Sequence, residues 1–391
     1  MSVVVLNALR TPIGKFLGSF SKLSAADLGV HVVEGLLQRT GVAAAAVDEL
    51  IFGVGRQAGG GPNPARQIAV RAGVPESRTA YTVNMACGSG LLSIIQGAQS
   101  IERGDADLVV AGGAESMSRL PYYLENARDG YRLGHGELVD GMYRDGFHCP
   151  LADQLMGRTA ENLAEEFDIS RTEQDEYAVQ SQHRCETARA AGHFEAEILP
   201  VEVRVRREMK TISADEHPRD GATLESMAKL RPVFKEDGTV HPGNSSGITD
   251  GAAALILASE KKAAELGMTP IGRLGRATRA GVEPARMGIG PVPAVDKLLA
   301  QTGLELHDFD LIELNEAFAA QVIACERGLD LDRDRLNVNG GAIALGHPIG
   351  ATGARIVTTL LHEMARRDVG RGLATLCISG GMGLALEVQR G

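Results

Sequence analysis

The sequence has no surplus of positive charge, few cysteines and no long apolar run. Its 40 Lys and Arg stand against 50 Asp and Glu, a formal net charge of −10. That balance argues against a general nucleic-acid or membrane surface and leaves only local basic patches open. Five cysteines among 391 residues, Cys87, Cys149, Cys185, Cys325 and Cys377, are an odd number at wide spacing. They read as reduced thiols, not a disulfide framework, and point to a cytoplasmic setting. The opening MSVVVLNALRTP lacks a basic n-region, and its apolar run is too short for a signal peptide. The longest later run, near residues 252–258, is too short to span a bilayer. No Cys/His set has zinc spacing, so no metal site is expected. No isolated carboxylate pair suggests glycosidase chemistry.

What is present is an ordinary globular composition, 44% hydrophobic and 23% charged, in a chain long enough for two or three units of roughly 150 residues. The 48 glycines are about 12% of the chain against a usual ~7%, with no collagen period. Many backbone positions must therefore turn tightly or be approached closely.

Two stretches echo each other. In the first, a strand-like run at 49–54 precedes VNMACGSG (83–90), which opens a helix with Leu91, Ile94, Ile95, Ala98 and Ile101 at helical spacing. Gly104 closes that helix, and a short strand at 108–111 runs into Gly112 and Gly113. In the second, a strand at 310–314 precedes Val338-Asn339-Gly340-Gly341, a glycine-rich turn, and Ile356, Val357, Leu360, Leu361 and Met364. A strand at 373–378 then ends in Ser379-Gly380-Gly381 and continues directly into 384–388. The first copy finds its equivalent last strand only at 251–257, which leaves an insertion of polar, uneven composition. The divisions expected are a first repeat over 1–117, an insertion over 118–249, the return of the first repeat over 250–268 and a second repeat over 269–391. The insertion carries a helical stretch at 159–191 and a basic alternation of Arg204, Arg206, Arg207 and Lys210. Alternating β and α segments imply layered α/β packing.

Cys87, before Gly88-Ser89-Gly90 at the mouth of an apolar helix, has the setting of a nucleophile, since free N–H groups and the helix dipole favour a thiolate there. A small buried structural cysteine is the alternative. Cys377, at the end of an apolar strand, admits the same two readings. His347 stands in GGAIALGHPIGATG (340–353), a setting suited to presenting an imidazole to a ligand. That run lacks the Gly-Lys-Ser/Thr ending of a phosphate loop, so nucleotide hydrolysis is disfavoured. Asn315 opens NEAFA (315–319) after a buried-type strand, as a functional amide or as a helix cap. Superposing the repeats puts the Cys87 turn opposite the His347 turn, with the Cys377 strand end near both.

VNMACGSG, NEAFA, the 340–353 run and CISGGMG (377–383), in this order, make the whole chain resemble the thiolase family of acetyl-CoA acetyltransferases and 3-ketoacyl-CoA thiolases. The resemblance implies a duplicated, layered α-β-α-β-α fold with an inserted loop domain that binds coenzyme A and makes oligomer contacts. It implies acetyl-CoA and 3-ketoacyl-CoA as substrates, no further cofactor, and a homodimer or homotetramer. Cys87 would be the acylated nucleophile, His347 the group that takes its proton, and Cys377 the acid/base at the Cα carbon. His347 and a water positioned by Asn315 would hold the enolate oxygen, and the N–H groups of Cys87 and Ser379 the acyl-enzyme oxygen. Members usually have glycine where Ser379 stands; the backbone donor survives that change. Family pocket positions for coenzyme A fall on Arg219, Ser226, Leu230, Phe234, Ser246, Met287 and Phe318.

The function implied is reversible condensation of two acetyl-CoA to acetoacetyl-CoA and coenzyme A. Short-chain biosynthetic members carry His-Met-Gly in the insertion, whereas this chain has Leu155-Met156-Gly157, which keeps a degradative 3-ketoacyl-CoA thiolase as the alternative. An acyl-carrier-protein condensing enzyme would need His or Asn at Cys377. A catalytically silent coenzyme A- or lipid-binding relative would not need all three reactive groups, and a cysteine hydrolase would leave Cys377 unexplained.

Overall fold

In the computed structural model, which describes residues 3–205 and 207–391, nine strands and one two-residue strand form a single mixed sheet. The strands are β1 (Val3–Arg10), β2 (Glu49–Gly53), β3 (Thr79–Val83), β4 (Leu108–Ser116), β5 (Thr249–Ser259), β6 (Gly272–Gly281), β7 (Leu311–Leu314), β8 (Arg371–Ile378) and β9 (Met382–Arg390). Their order is β7-β8-β9-β6-β1-β5-β4-β2-β3. From β1 outwards, β5 and β4 are antiparallel and β2 and β3 parallel. From β6 outwards, β9 and β8 are antiparallel and β7 is parallel. The halves therefore repeat one pattern, and they join through the short antiparallel pairing of β1 with β6. Even β3 has a vestigial counterpart in the isolated parallel bridge between Ile312 and Leu336.

The principal helices are α1 (Ala25–Thr40), α2 (Pro64–Arg71), α3 (Ser89–Arg103), α4 (Met156–Glu166), α5 (Arg171–Ala190), α6 (Pro291–Thr302), α7 (Ala319–Leu329) and α8 (Ile349–Arg367). Strand side chains alternate between two cores, as a period of two dictates. On β1, Val3, Val5 and Ala8 join α3 and α8 in a core shared by both halves, while Val4, Leu6 and Leu9 face α1 and α2. A third core packs α6 and α7 with α4 and α5 of the insertion. Residues 349–361 of α8 are all buried, and the helix crosses α3 at two glycines. A Cβ at Gly90 would lie 2.8 Å from Gly350 O, and one at Gly353 would collide with the Leu91 backbone. That crossing places the entrances of α3 and α8 side by side.

Three expectations change. The helical stretch at 159–191 is two helices, because Ser170 caps α5 in a capping box with Glu173 and Asp168 takes a left-handed φ of 50° between them. The strand begun at 108 runs on to Ser116, with Gly112 and Gly113 inside it, where a side chain would strike Ala253 or Gly350. Gly380 and Gly381 by contrast form the β8–β9 turn, at φ of 90° and 86°, so the two Gly-Gly pairs are not equivalent. The basic alternation falls on a hairpin of Val201–Val205 with Glu208–Ile212, and Arg206 lies outside the described residues.

Candidate active site

Cys87 sits on a tight turn between β3 and α3. Gly88 N–H donates to Met85 O at 2.9 Å, while Ser89 Oγ accepts from Met85 N–H at 2.8 Å and donates to Ala86 O at 2.7 Å. Ala86 is held at φ 46°, a left-handed conformation that costs an L residue roughly 1–2 kcal/mol. The strain is tolerated because both neighbours are pinned, and it turns the next side chain out toward the second repeat.

There the Cys87 thiol meets His347 Nε2 at 3.2 Å. His347 Nδ1 lies 2.6 Å from Thr352 Oγ1, whose hydroxyl donates to Pro348 O at 3.1 Å. A hydroxyl already donating can only accept from the ring, so Nδ1 carries the proton and Nε2 offers its lone pair to the thiol. Burial, then Arg355 and Arg56, pushes the imidazole down to about 3. Burial also raises the Cys87 thiol, against Arg56 and the N–H groups of Ser379 and Cys87 itself. Desolvation, the foremost cause on both groups, favours a resting pair of neutral thiol and neutral imidazole.

Cys377 is 1% exposed at the end of β8, and burial and the neighbouring Cys87 both raise its thiol. Asn315 follows β7, and its N–H donates to Thr375 O at 3.0 Å, two residues from Cys377. Among the described residues neither polar atom of its fully buried side chain has a partner. It does not cap the next helix, whose N-cap is Phe318, so the bland reading of this asparagine fails. The Ser379 N–H is directed at the Cys87 thiol.

Of the positions read as coenzyme A contacts, Phe234, Met287 and Phe318 pack in the cluster that contains Cys377, the two rings edge to face at 6.3 Å. Ser246 joins them through its N–H to Ala317 O. Leu230 is half-buried at the edge of the third core. Arg219 and Ser226 lie exposed on the insertion, with Ser226 Oγ bonded to Thr223 O at 2.7 Å. Among the described residues no group of three or more His, Cys, Asp or Glu is placed to hold a metal ion, and no helix is long and apolar enough to cross a membrane.

Sequence reasoning missed three residues here. Thr352, five positions after His347, sets its tautomer. Glu115 accepts N–H bonds from Gly55 at 3.0 Å, Arg56 at 3.1 Å and Gly350 at 2.8 Å. Arg56 carries the cation nearest in influence to Cys87. A carboxylate inside the apolar run at 108–116 was the one visible signal among them.

Comparison with known proteins finds relatives over the whole length of the chain. Residues 3–261 match the family "Thiolase, N-terminal domain" and residues 268–390 match "Thiolase, C-terminal domain". The acetyl-CoA acetyltransferase of Allochromatium vinosum is 50% identical over 390 residues, covering 100% of this chain and 99% of that protein. The crystal structure of the Bacillus anthracis acetyl-CoA acetyltransferase superposes with a TM-score of 0.98 at 45% identity, covering 100% of this chain and 99% of the other. Human mitochondrial 3-ketoacyl-CoA thiolase in complex with CoA gives 0.96 at 43% identity, covering 100% and 98%. A twofold-repeated α/β sheet closed over two thiols and one imidazole is the class this fold and site define. The chain belongs to the thiolase family.

Proposed function

We propose that the chain is an acyltransferase that joins two acetyl-CoA molecules into acetoacetyl-CoA and coenzyme A, reversibly, through an acyl group on Cys87. The observation that carries this is the 3.2 Å contact of Cys87 with a His347 whose tautomer Thr352 holds, with a second thiol beside it. His347 takes the Cys87 proton and the sulfur attacks the thioester carbonyl. The N–H groups of Cys87 and Ser379 take up the oxyanion. Cys377, kept protonated by burial, gives its proton to the departing CoA thiolate and becomes the base for the next step. It then removes a Cα proton from the second acetyl-CoA, while protonated His347 and a water on Asn315 hold the enolate oxygen. Carbon attack on the acyl group frees the Cys87 sulfur, which regains the proton from His347, and every group returns to its starting state. These steps balance with coenzyme A esters alone. Arg219, Ser226, Leu230, Phe234, Ser246, Met287 and Phe318 serve as the coenzyme A contacts, with Arg219 at the phosphates.

A second reading, thiolysis of longer 3-ketoacyl-CoA esters, is supported by the apolar wall beside Cys87, where Met117, Leu120, Met142, Phe147 and Ile248 cluster. We also take the enzyme to be a cytoplasmic homodimer or homotetramer, since β3 is a half-exposed edge strand with one neighbour. Rates with acetyl-CoA, acetoacetyl-CoA and longer 3-ketoacyl-CoA esters test the reading. Highest kcat/KM with acetoacetyl-CoA and measurable condensation of acetyl-CoA are expected. Preference for long chains with no condensation would replace it with the second.

A further inference from the structure

We propose that Arg56 is a positioning residue for the nucleophile: its guanidinium, hydrogen-bonded to backbone carbonyls, stabilises the negative charge that develops on Cys87 as its proton passes to His347. This rests on Cys87 being the nucleophile.

Arg56 follows β2, and its neighbour Gly55 is wedged between the two halves of the site. A Cβ on Gly55 would lie 2.8 Å from Ile349, in the first turn of α8, and 3.5 Å from Ala86 O on the nucleophile turn. Glu115 fixes this backbone through the N–H groups of both Gly55 and Arg56. The guanidinium then reaches Gly55 O at 3.2 Å and Gly146 O at 3.0 Å, and its buried Nε has no hydrogen-bond partner among the described residues. Gly146 belongs to the insertion turn Tyr143–Phe147, and Phe147 and Cys87 both pack against Met117, Met142 and Ile349. Among the described residues Arg56 enters no ion pair. Its hydrogen bonds go to neutral carbonyls, while its field is shared between Glu115, on which it is the foremost lowering charge, and Cys87, where it is likewise the foremost charge that favours the thiolate.

The other groups facing Cys87 are Glu115 from β4, His347 at the entrance of α8, and Cys377 with the Ser379 N–H at the end of β8; Arg355 of α8 acts on His347. Glu115, whose carboxyl burial pushes up to about 7 against the pull of Arg56, is ionised in the alkaline range where the thiol titrates and there opposes Arg56 at Cys87.

The test is the pH dependence of Cys87 alkylation by iodoacetamide in the full-length enzyme, with the labelled cysteine located by peptide mass spectrometry. Wild type is compared with Arg56→Gln, which keeps hydrogen-bond donors without charge, and Arg56→Lys, which keeps the charge. The Gln variant should react with a midpoint about one pH unit higher, and about tenfold more slowly at neutral pH, while Lys stays close to wild type. Equal midpoints in wild type and Gln, or a Lys midpoint raised as far as that of Gln, would overturn the proposal. If the Gln variant does not fold, Arg56→Met takes its place: a midpoint raised by about one pH unit supports the charge and a wild-type midpoint refutes it. Label on another cysteine of the wild type would remove the nucleophile reading itself, a distinguishable failure.

Discussion

The carboxylate of Glu115, at the end of β4 in the first repeat, accepts the N–H of Gly350 in the first turn of α8 at 2.8 Å. One side chain thus ties the strand beside the Cys87 turn to the helix that follows His347. Burial holds this carboxyl at about 7 instead of its usual 4.5. A folded-state pKa above the unfolded one means the folded chain retains a proton the unfolded chain has lost, so stability falls as pH rises through that interval.

Thermal unfolding should therefore show wild type losing stability between about pH 5 and pH 7.5, by up to about 3 kcal/mol from this group. Glu115→Gln should flatten that slope. An unchanged slope in the variant would assign the loss to other buried acids such as Glu313, also raised by burial, to about 8.

Thr352→Val should lower kcat by about tenfold or more with little change in KM, because the imidazole loses the acceptor that keeps its proton on Nδ1. Thr352→Ser should recover most of the rate. Steady-state kinetics on the three enzymes decide it; a KM effect alone would place Thr352 outside the chemistry.

The two thiols should separate by step. Cys377→Ala should still take an acyl group on Cys87 from acetyl-CoA, seen as an acetyl adduct by mass spectrometry, while failing to condense or cleave. Cys87→Ala should take none. Normal turnover by Cys377→Ala, or an adduct on Cys377 with Cys87 free, would reverse the roles.

Arg219→Ala should raise KM for the CoA ester several-fold at near-constant kcat, since an exposed cation far from the reacting carbon binds ground and transition states alike. An unchanged KM would remove Arg219 from the binding surface.

The repeat was legible because its signal is local: Leu91, Ile94 and Ile95 on α3 and Ile356, Val357 and Leu360 on α8 each follow a glycine turn at helical spacing. Cys87, His347 and Cys377 stand in those turns and share their visibility. Ser170 was harder to read, because Phe167 and Ile169 continue an apolar pattern across a break that only the cap reveals. Thr352, Arg56 and Glu115 acquire meaning through contacts no window contains. Glu115 reaches Gly55 across 60 positions and Gly350 across 235. The extension of β4 past Gly112 depends on Ala253 lying opposite, another distant fact.

The crossing of α3 and α8 at Gly90 and Gly353 sets where this chain is free to vary. Cys87 and His347 stand at the entrances of those two helices, so the distance between sulfur and imidazole is inherited from how closely the helices approach. The exposed stretch 128–138 of the insertion can lengthen without reaching that axis. A single methyl group at Gly353 has no such latitude, because the Leu91 backbone it would strike belongs to the helix that carries the nucleophile. A side chain at Gly353 would thus push apart the two helices that carry the reacting groups, although the glycine itself stands six residues from His347.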